Sequence, residues 1–319
     1  MTKCTVIIPY FQREAGILTR ALRSVFAQSH AEFDVIVVDD ASPSPVEIEL
    51  EGFSLAEQGR ITVIKQPNAG PGGARNTGLD HVPADSSYAA FLDSDDEWTP
   101  DHLTHATAGL SRFGADCYWA SIRGGEEFHY HFGVSALAEV TPVIRLSDEP
   151  PLVEIPHLAG VMLKNWSFLH LSCMVIGREL FRRIRFEAEL RLAAEDVLFF
   201  YDCVRGAERV ILSDGVGAMR GEGLNIFHSL DSDSPLFLKQ QFNTWVALDR
   251  LEARCSHGPE DKASIEAYKQ VARRQALWGQ MRLVRRRKAP QLGLLAEWAW
   301  RDPRLLRSAV ELAVAKISR

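Results

Sequence analysis

Asp93, Asp95 and Asp96 put three carboxylates into four residues, directly after the apolar run Tyr88-Ala89-Ala90-Phe91-Leu92. Such groups repel one another, and at the end of a buried strand they need a partner. A hard divalent cation such as Mg²⁺ or Mn²⁺, which prefers oxygen ligands, would serve; a solvated acidic turn would need none. A second acidic pair, Glu195-Asp196, stands about a hundred residues further on, ahead of Val197-Leu198-Phe199-Phe200. The helix macrodipole favours acids at a helix start by ~0.3–1 kcal/mol each. Chemically, a carboxylate of ordinary pKa is ionised at neutral pH and can accept the proton of a hydroxyl.

Ahead of both lies Asn68-Ala69-Gly70-Pro71-Gly72-Gly73-Ala74-Arg75-Asn76-Thr77-Gly78. Its glycines permit close approach of a ligand, and the helix opening at Ala74-Arg75-Asn76 would turn amides and a guanidinium toward an anion. No Gly-Lys-Ser/Thr follows, so it is not a Walker loop, and it is not GxGxxG after a first strand. It suits a nucleotide diphosphate held mostly by a metal.

The elements that must position these groups follow from hydrophobic patterning. Thr5–Ile8, Phe33–Val38, Ile61–Ile64 and Tyr88–Leu92 are short apolar, mostly β-branched runs that read as buried strands. Gly16–Ser29, with apolar pairs every four residues, reads as an amphipathic helix. Val46–Glu57 and Gly73–His81 fill the other gaps as helices. Alternating strands and helices imply parallel pairing in a doubly wound α/β sheet, whose ligands bind beyond the C-terminal strand ends. Pro9-Tyr10-Phe11-Gln12-Arg13, Asp39-Asp40 with Ser42, the Gly-rich stretch and Asp93–Asp96 all fall at those ends. Each alone has a local explanation as a cap or turn. Four at one sheet edge point to a site.

Composition narrows the class. With 319 residues, 46% hydrophobic and 24% charged, the chain can bury a sizeable core. Its net charge of −6 disfavours nucleic acid as a partner. The five cysteines are scattered and never spaced CxxC, which suits a reducing cytoplasm. No signal-peptide layout opens the sequence, and no stretch reaches the ~18–20 apolar residues of a transmembrane helix. The expected location is cytoplasmic, or peripheral on the inner face of the cytoplasmic membrane.

Taken in order, the motifs resemble the family 2 glycosyltransferases of GT-A fold, the group that includes many bacterial polysaccharide synthases. They are Val6-Ile7-Ile8-Pro9, Val37-Val38-Asp39-Asp40-Ala41-Ser42, Asn68-Ala69-Gly70 with Ala74–Gly78, Phe91–Asp96 with Trp98 and Pro100, and Glu195-Asp196. The resemblance covers residues 3 to 230. It implies a metal-dependent transferase using a UDP-sugar, of exopolysaccharide type, with glucose as the first expectation. Pro9, Tyr10, Phe11, Asp39 and Asp40 would line the base and uridine pocket, and Arg75 would approach the diphosphate. Asp93 and Asp95 would form the DxD that meets the ribose and holds Mn²⁺ or Mg²⁺, with Asp96 a neighbour and His228 completing the metal shell. Asp196 would be the general base of an inverting displacement, with Glu195 beside it. Phe11-Gln12 departs from the family's usual Tyr-Asn, and no Gln/Arg-x-x-Arg-Trp motif is present, which speaks against a processive synthase.

The implied organisation is a GT-A catalytic domain over residues 1–230, donor-binding in 1–100 and acceptor-binding in 101–230, followed by a helical region over 231–319. A helix over Asp101–Phe113 and strands over Asp116–Ile122, Phe128–Gly133 and Leu171–Ile176 are expected in the acceptor half. Asn165–His170 combines aromatic and polar groups suited to a sugar face or to core packing. In the C-terminal region, eight basic residues and no acid fall between Lys269 and Lys288, ahead of Leu292–Trp300. This suggests a peripheral membrane contact through 269–319 and a lipid-linked oligosaccharide acceptor; a solvated appendage or a homodimer contact is the other reading. Two further functions stay open: a sugar nucleotidyltransferase, and a non-catalytic nucleotide-sugar-binding scaffold.

Overall fold

The computed structural model describes residues 2–124, 137–139, 141–164, 169–221, 231–232, 234–254 and 258–317. It divides into two compact units, Met1–Glu189 with Asp196–Leu224, and Leu190–Glu195 with Asn225–Arg319.

The first unit opens with β1 (Cys4–Tyr10), α1 (Ile17–Phe26) and β2 (Phe33–Asp39). Two short helices, α2 (Val46–Leu50) and α3 (Leu55–Gln58), stand where one was expected, and Ser54 starts the second with a capping box to Glu57. Then come β3 (Ile61–Lys65), α4 (Gly70–Asp80), β4 (Tyr88–Phe91), β5 (Glu97–Trp98) and α5 (His102–Phe113). β6 (Cys117–Arg123), β7 (Ile144–Ser147), β8 (Leu152–Glu154) and α6 (Leu158–Lys164) follow. A 3₁₀ turn, Leu171–Cys173, leads into β9 (Met174–Gly177) and α7 (Arg178–Arg183). The last elements of this stretch are α8 (Glu195–Gly206) and β10 (Val210–Met219).

The strands form one ten-stranded sheet in the order β3-β2-β1-β4-β9-β6-β10-β8-β7, with β5 pairing to β10. β3, β2, β1 and β4 are mutually parallel, and β6 is parallel to β10. β9 enters antiparallel between β4 and β6. The strand order therefore reverses between β1 and β4, the position where doubly wound sheets hold ligands. Val6, Ile7 and Ile8 of β1 are fully buried, as a central parallel strand covered on both faces requires.

Two expectations change here. The helix expected from Gly73 begins at Gly70, so most of the Gly-rich stretch is helical. Pro71 stands near its N-terminus, and the Asp40 carboxylate accepts from the amides of Ala69 and Gly70 at 2.7 and 2.9 Å, which caps the helix early. Leu171–Ile176 is a 3₁₀ turn followed by strand. Phe128–Gly133 lies outside the described residues, as do Asn165, Trp166, Ser167 and Phe168.

The second unit contains α9 (Pro235–Arg254), α10 (Pro259–Arg285), α11 (Leu292–Arg301) and α12 (Arg304–Ile317). Their common core is Leu238, Phe242, Trp245, Ala272, Ala276, Trp298 and Leu305. Among the described residues, no helix is long and apolar enough to cross a membrane.

Candidate active site

The site is built from the carboxyl ends of β1, β2 and β4. After β1, the Gln12 amide donates to the Ser42 hydroxyl at 2.9 Å, and the Gln12 carbonyl accepts from that hydroxyl at 3.1 Å. The Gln12 side chain donates to Ser94 Oγ at 3.1 Å. One buried residue thus ties three strand-end loops together. In the sequence Gln12 belongs to the polar cluster after β1 and departs there from the family's usual residue. Its value lies in contacts 30 and 82 residues away.

Tyr10 is fully buried and donates to Glu49 at 3.3 Å. Asp40 is buried as well, accepting from Gln66 Nε2 at 2.7 Å besides the two helix amides. Asp39 Oδ1 accepts from the Ser42 amide at 2.8 Å, fixing the loop after β2, while Pro9 and Phe11 are half-buried at its edge. Ala41, between Asp40 and Ser42, takes φ 58, a left-handed conformation that a non-glycine residue holds only when its surroundings impose it.

Arg75, on α4, reaches Asp93 with Nη2–Oδ1 at 2.6 Å. Its guanidinium also lies 5.5 Å from the Phe186 ring centroid. Phe186 is held by reciprocal bonds with Asn76: the Asn76 side chain donates to its carbonyl at 2.9 Å and accepts from its amide at 2.8 Å. Phe186 stacks on Phe199 of α8 with centroids 3.7 Å apart. This packing fixes the start of α8, where Glu195 is the first residue and Asp196 the second. Asp196 Oδ1 accepts from the Val197 amide at 2.8 Å.

Ser172 organises the acidic loop. Its hydroxyl donates to Asp96 Oδ2 at 2.6 Å and accepts from the Asp93 amide at 3.1 Å. Trp98 Nε1 donates to the Ser172 carbonyl at 2.6 Å, anchoring the turn from the far side. The Gly221 amide gives Asp96 Oδ1 a second donor at 3.1 Å. Gly221 must be glycine, because a Cβ there would run into the backbone carbonyl of Asp95. His170 Nδ1 accepts from the Ser172 amide at 3.3 Å and lies 3.8 Å from Asp96 Oδ2.

Donor atoms of Asp93, Asp96 and His170 therefore come within 4.8 Å of one another. This is an oxygen and imidazole set suited to a divalent cation. Asp95 lies next to that group and outside it, and His228, expected to complete the metal shell, lies outside the described residues. In the sequence His170 closes the aromatic and polar stretch Asn165–His170. Only the antiparallel insertion of β9 beside β4 brings its turn to the acidic loop.

The electrostatics are those of carboxylates in excess. Burial, then the neighbouring acids Asp96 and Asp93, push Asp95 up to about 7. Burial and Asp93 raise Asp96 to about 7 against the Ser172 and Gly221 hydrogen bonds. Burial also acts upward on Asp93, while Arg75 acts downward through its charge and its hydrogen bond, and that carboxyl lies below its ordinary value. His170 is pushed down by burial, which keeps it neutral, the form in which imidazole binds metal. Asp196 is raised, by burial first, while Arg75, His170 and Asp93 all lie within electrostatic reach of it. Arg220 reaches Asp93, Asp96 and His170 in the same way. One field thus links the acidic loop to the start of α8.

The family model for glycosyl transferase family 2 matches residues 5–185. The chain belongs to this family. As a family 2 glycosyltransferase it is 65% identical over 319 residues, the whole of both chains, to the succinoglycan biosynthesis protein ExoW of Rhizobium meliloti (strain 1021). Two solved structures share its GT-A fold. S. aureus TarS (residues 1–349) in complex with UDP-GlcNAc aligns with TM-score 0.63 and 18% identity, covering 88% of this chain and 80% of that one. The mannosyltransferase PcManGT of Pyrobaculum calidifontis, in complex with GDP-Man and Mn²⁺, aligns with TM-score 0.56 and 18% identity over 97% and 86%.

Proposed function

We propose that this glycosyltransferase moves a hexose, glucose first among candidates, from a UDP-sugar to a hydroxyl of a lipid-linked oligosaccharide in succinoglycan assembly. The polymer is suggested by ExoW, alike over its full length. The donor class has support from the nucleotide sugars bound to the TarS and PcManGT structures. The observation that carries the chemistry is the convergence of Asp93, Asp96 and His170 with Asp196 within electrostatic reach of Asp93 and His170.

In this reading residues 1–230 are catalytic, with 1–100 facing the donor and 101–230 the acceptor, and 231–319 form the helical region. Pro9, Phe11 and Asp39 border the base, while Tyr10 and Asp40 hold the pocket's shape. Arg75 orients Asp93 toward the ribose and diphosphate. Asp93, Asp95 or Asp96, His170 and His228 would hold a divalent cation, Mn²⁺ or Mg²⁺, and the carboxylate excess described above fits that charge. When bound, the cation supplies positive charge for the departing diphosphate.

Asp196 takes the proton of the acceptor hydroxyl as its oxygen bonds to the sugar's C1 and the C1–phosphate bond breaks on the opposite face. A raised pKa brings a carboxylate nearer the pH at which a base is most effective. Glu195 stands beside it to orient the hydroxyl. A single displacement inverts the anomeric centre.

Transfer from UDP-glucose to a lipid-linked oligosaccharide extract, with the linkage read by NMR, tests this. A β-linked product is expected, and Asp196→Asn should lose roughly 10²–10⁴-fold in turnover while calorimetric UDP-glucose binding is unchanged. Normal transfer by Asp196→Asn, or an α-linked product, would refute the assignment.

A further inference from the structure

Two subsets of the C-terminal basic run have different fates, apart from Arg274, which pairs with Glu311, and Arg282, which donates to Ser232 Oγ. Lys269 and Arg273 of α10 are buried and ion-paired within the helical unit, to Asp249 and Glu252 and to Glu266 and Asp302. The last four cations, Arg285, Arg286, Arg287 and Lys288, are all exposed. They form the turn that closes α10, fastened by the Lys288 amide donating to the Leu283 carbonyl at 2.9 Å. The Gln291 amide donates to Gln280 Oε1 at 2.7 Å and fixes the way into α11.

α11 then presents two unlike faces. Trp298 is fully buried in the core of the helical unit. On the other face Leu292 is 66% exposed and Trp300 84%, with exposed Ala296 between them. Residues four apart stack along one face, so these three make an apolar stripe about 12 Å long. Glu297 is paired with Arg301 at 2.9 Å, and no Asp or Glu occurs from Ala267 to Ala296. A fixed basic turn therefore leads into a helix whose outer face carries an exposed indole.

We infer that the turn Arg285–Lys288 and the Leu292–Trp300 face of α11 dock this protein on an anionic lipid surface. The cations meet headgroup charge while tryptophan and leucine enter the headgroup–acyl boundary. With a net charge of −6, the whole protein supplies no general attraction, so the docking is local and oriented. A second copy related by twofold symmetry through this face would set four cations against four cations. This docking goes beyond the transfer reaction and stands on separate residues, so either can fail without the other.

The test is co-sedimentation of the full chain with vesicles of phosphatidylcholine alone and with phosphatidylglycerol added. Binding is expected only to the anionic vesicles and should fall steeply as salt rises. Replacing Arg285, Arg286, Arg287 and Lys288 together by Ala should lower the partition coefficient at least about tenfold. Trp300→Ala should lower it less, and Arg→Lys at 285, 286 and 287 should preserve it. Unchanged thermal melts would show that the variants fold, and the salt dependence of the parent needs no variant. Equal binding to both vesicle types, unchanged binding by the fourfold Ala variant, or a dimer dissolved by Trp300→Ala without lipid binding would each overturn the proposal.

Discussion

The acidic loop and the helical unit both bury charge, and they do so by opposite rules. In the helical unit each buried cation has two carboxylates: Lys269 meets Asp249 and Glu252 at 2.8 and 2.7 Å, and Arg273 meets Asp302 and Glu266 at 2.5 and 2.7 Å. The acids are supplied by α9, by α10 itself and by the residue after α11, so the pairs fasten helices together. In the loop after β4 the excess runs the other way. Arg75 and Arg220 act on Asp93 and Arg220 on Asp96, yet Asp95 and Asp96 are both pushed up to about 7. A closed set of pairs stabilises structure. An open set of acids is left to be completed from outside.

Closing is broken most severely at Arg273. Removing one member of a buried pair leaves its partner's charge uncompensated, at about 3–5 kcal/mol. Arg273→Met should therefore destabilise the helical unit by that order in denaturant melts, since Asp302 is itself buried. Arg307→Met, on an exposed pair with Glu311, should change stability by less than about 1 kcal/mol. Equal effects at the two sites would mean that burial does not separate structural from incidental ion pairs here.

The open set should respond to metal. Outer-shell partners of a metal site are worth about 10–100-fold in affinity, and loss of a ligand should exceed that. Asp95→Ala and Asp96→Ala, compared by calorimetry for Mn²⁺-dependent UDP-sugar binding, decide which carboxylate completes the site. The family pattern points to Asp95, and the geometry groups Asp96 with Asp93 and His170. Metal-independent binding of undiminished strength in both variants would remove the loop's role. Metal-free stability gives a further check. Both acids are raised in the folded protein, so its unfolded state releases their protons first. Stability without metal should fall as pH rises from about 4 to 7, and Mn²⁺ stabilisation should grow across the same window.

Much of the acidic site was legible because each of its strands is a short apolar run ending in an uncommon polar cluster. Asp39, Asp40, Arg75, Asp93 and Asp96 all belong to such ends, and Asp196 announces itself at the start of an apolar helix. What stayed hidden depends on distance along the chain. His170 meets Asp96 across 74 residues, Gln12 meets Ser94 across 82, and no local pattern records either. β10 (Val210–Met219) has a weak strand pattern because Asp214, Gly215 and Gly217 interrupt its apolar run. Its glycine at 217 lies where a side chain would collide with buried His102, so packing requires what strand propensity disfavours. In the helical unit, Lys269 and Arg273 looked like surface charge because their partners lie up to 29 residues away.

Ser172 offers the gentlest way to sharpen the contrast, because it changes the acidic loop without removing an acid. Its hydroxyl donates to Asp96 and accepts from the Asp93 amide. Ser172→Ala should cost about 1 kcal/mol, read as a melting shift of about 2–4 °C for a domain of this size. A purely structural hydroxyl would do no more. This hydrogen bond also favours ionised Asp96, so its loss should raise that carboxyl further. The onset of Mn²⁺ stabilisation should then move to higher pH in Ser172→Ala, and return toward the parent's in Ser172→Thr, which keeps a hydroxyl. An onset that stays fixed while the melting temperature falls would make Ser172 a packing residue and leave the tuning of Asp96 to the Gly221 amide.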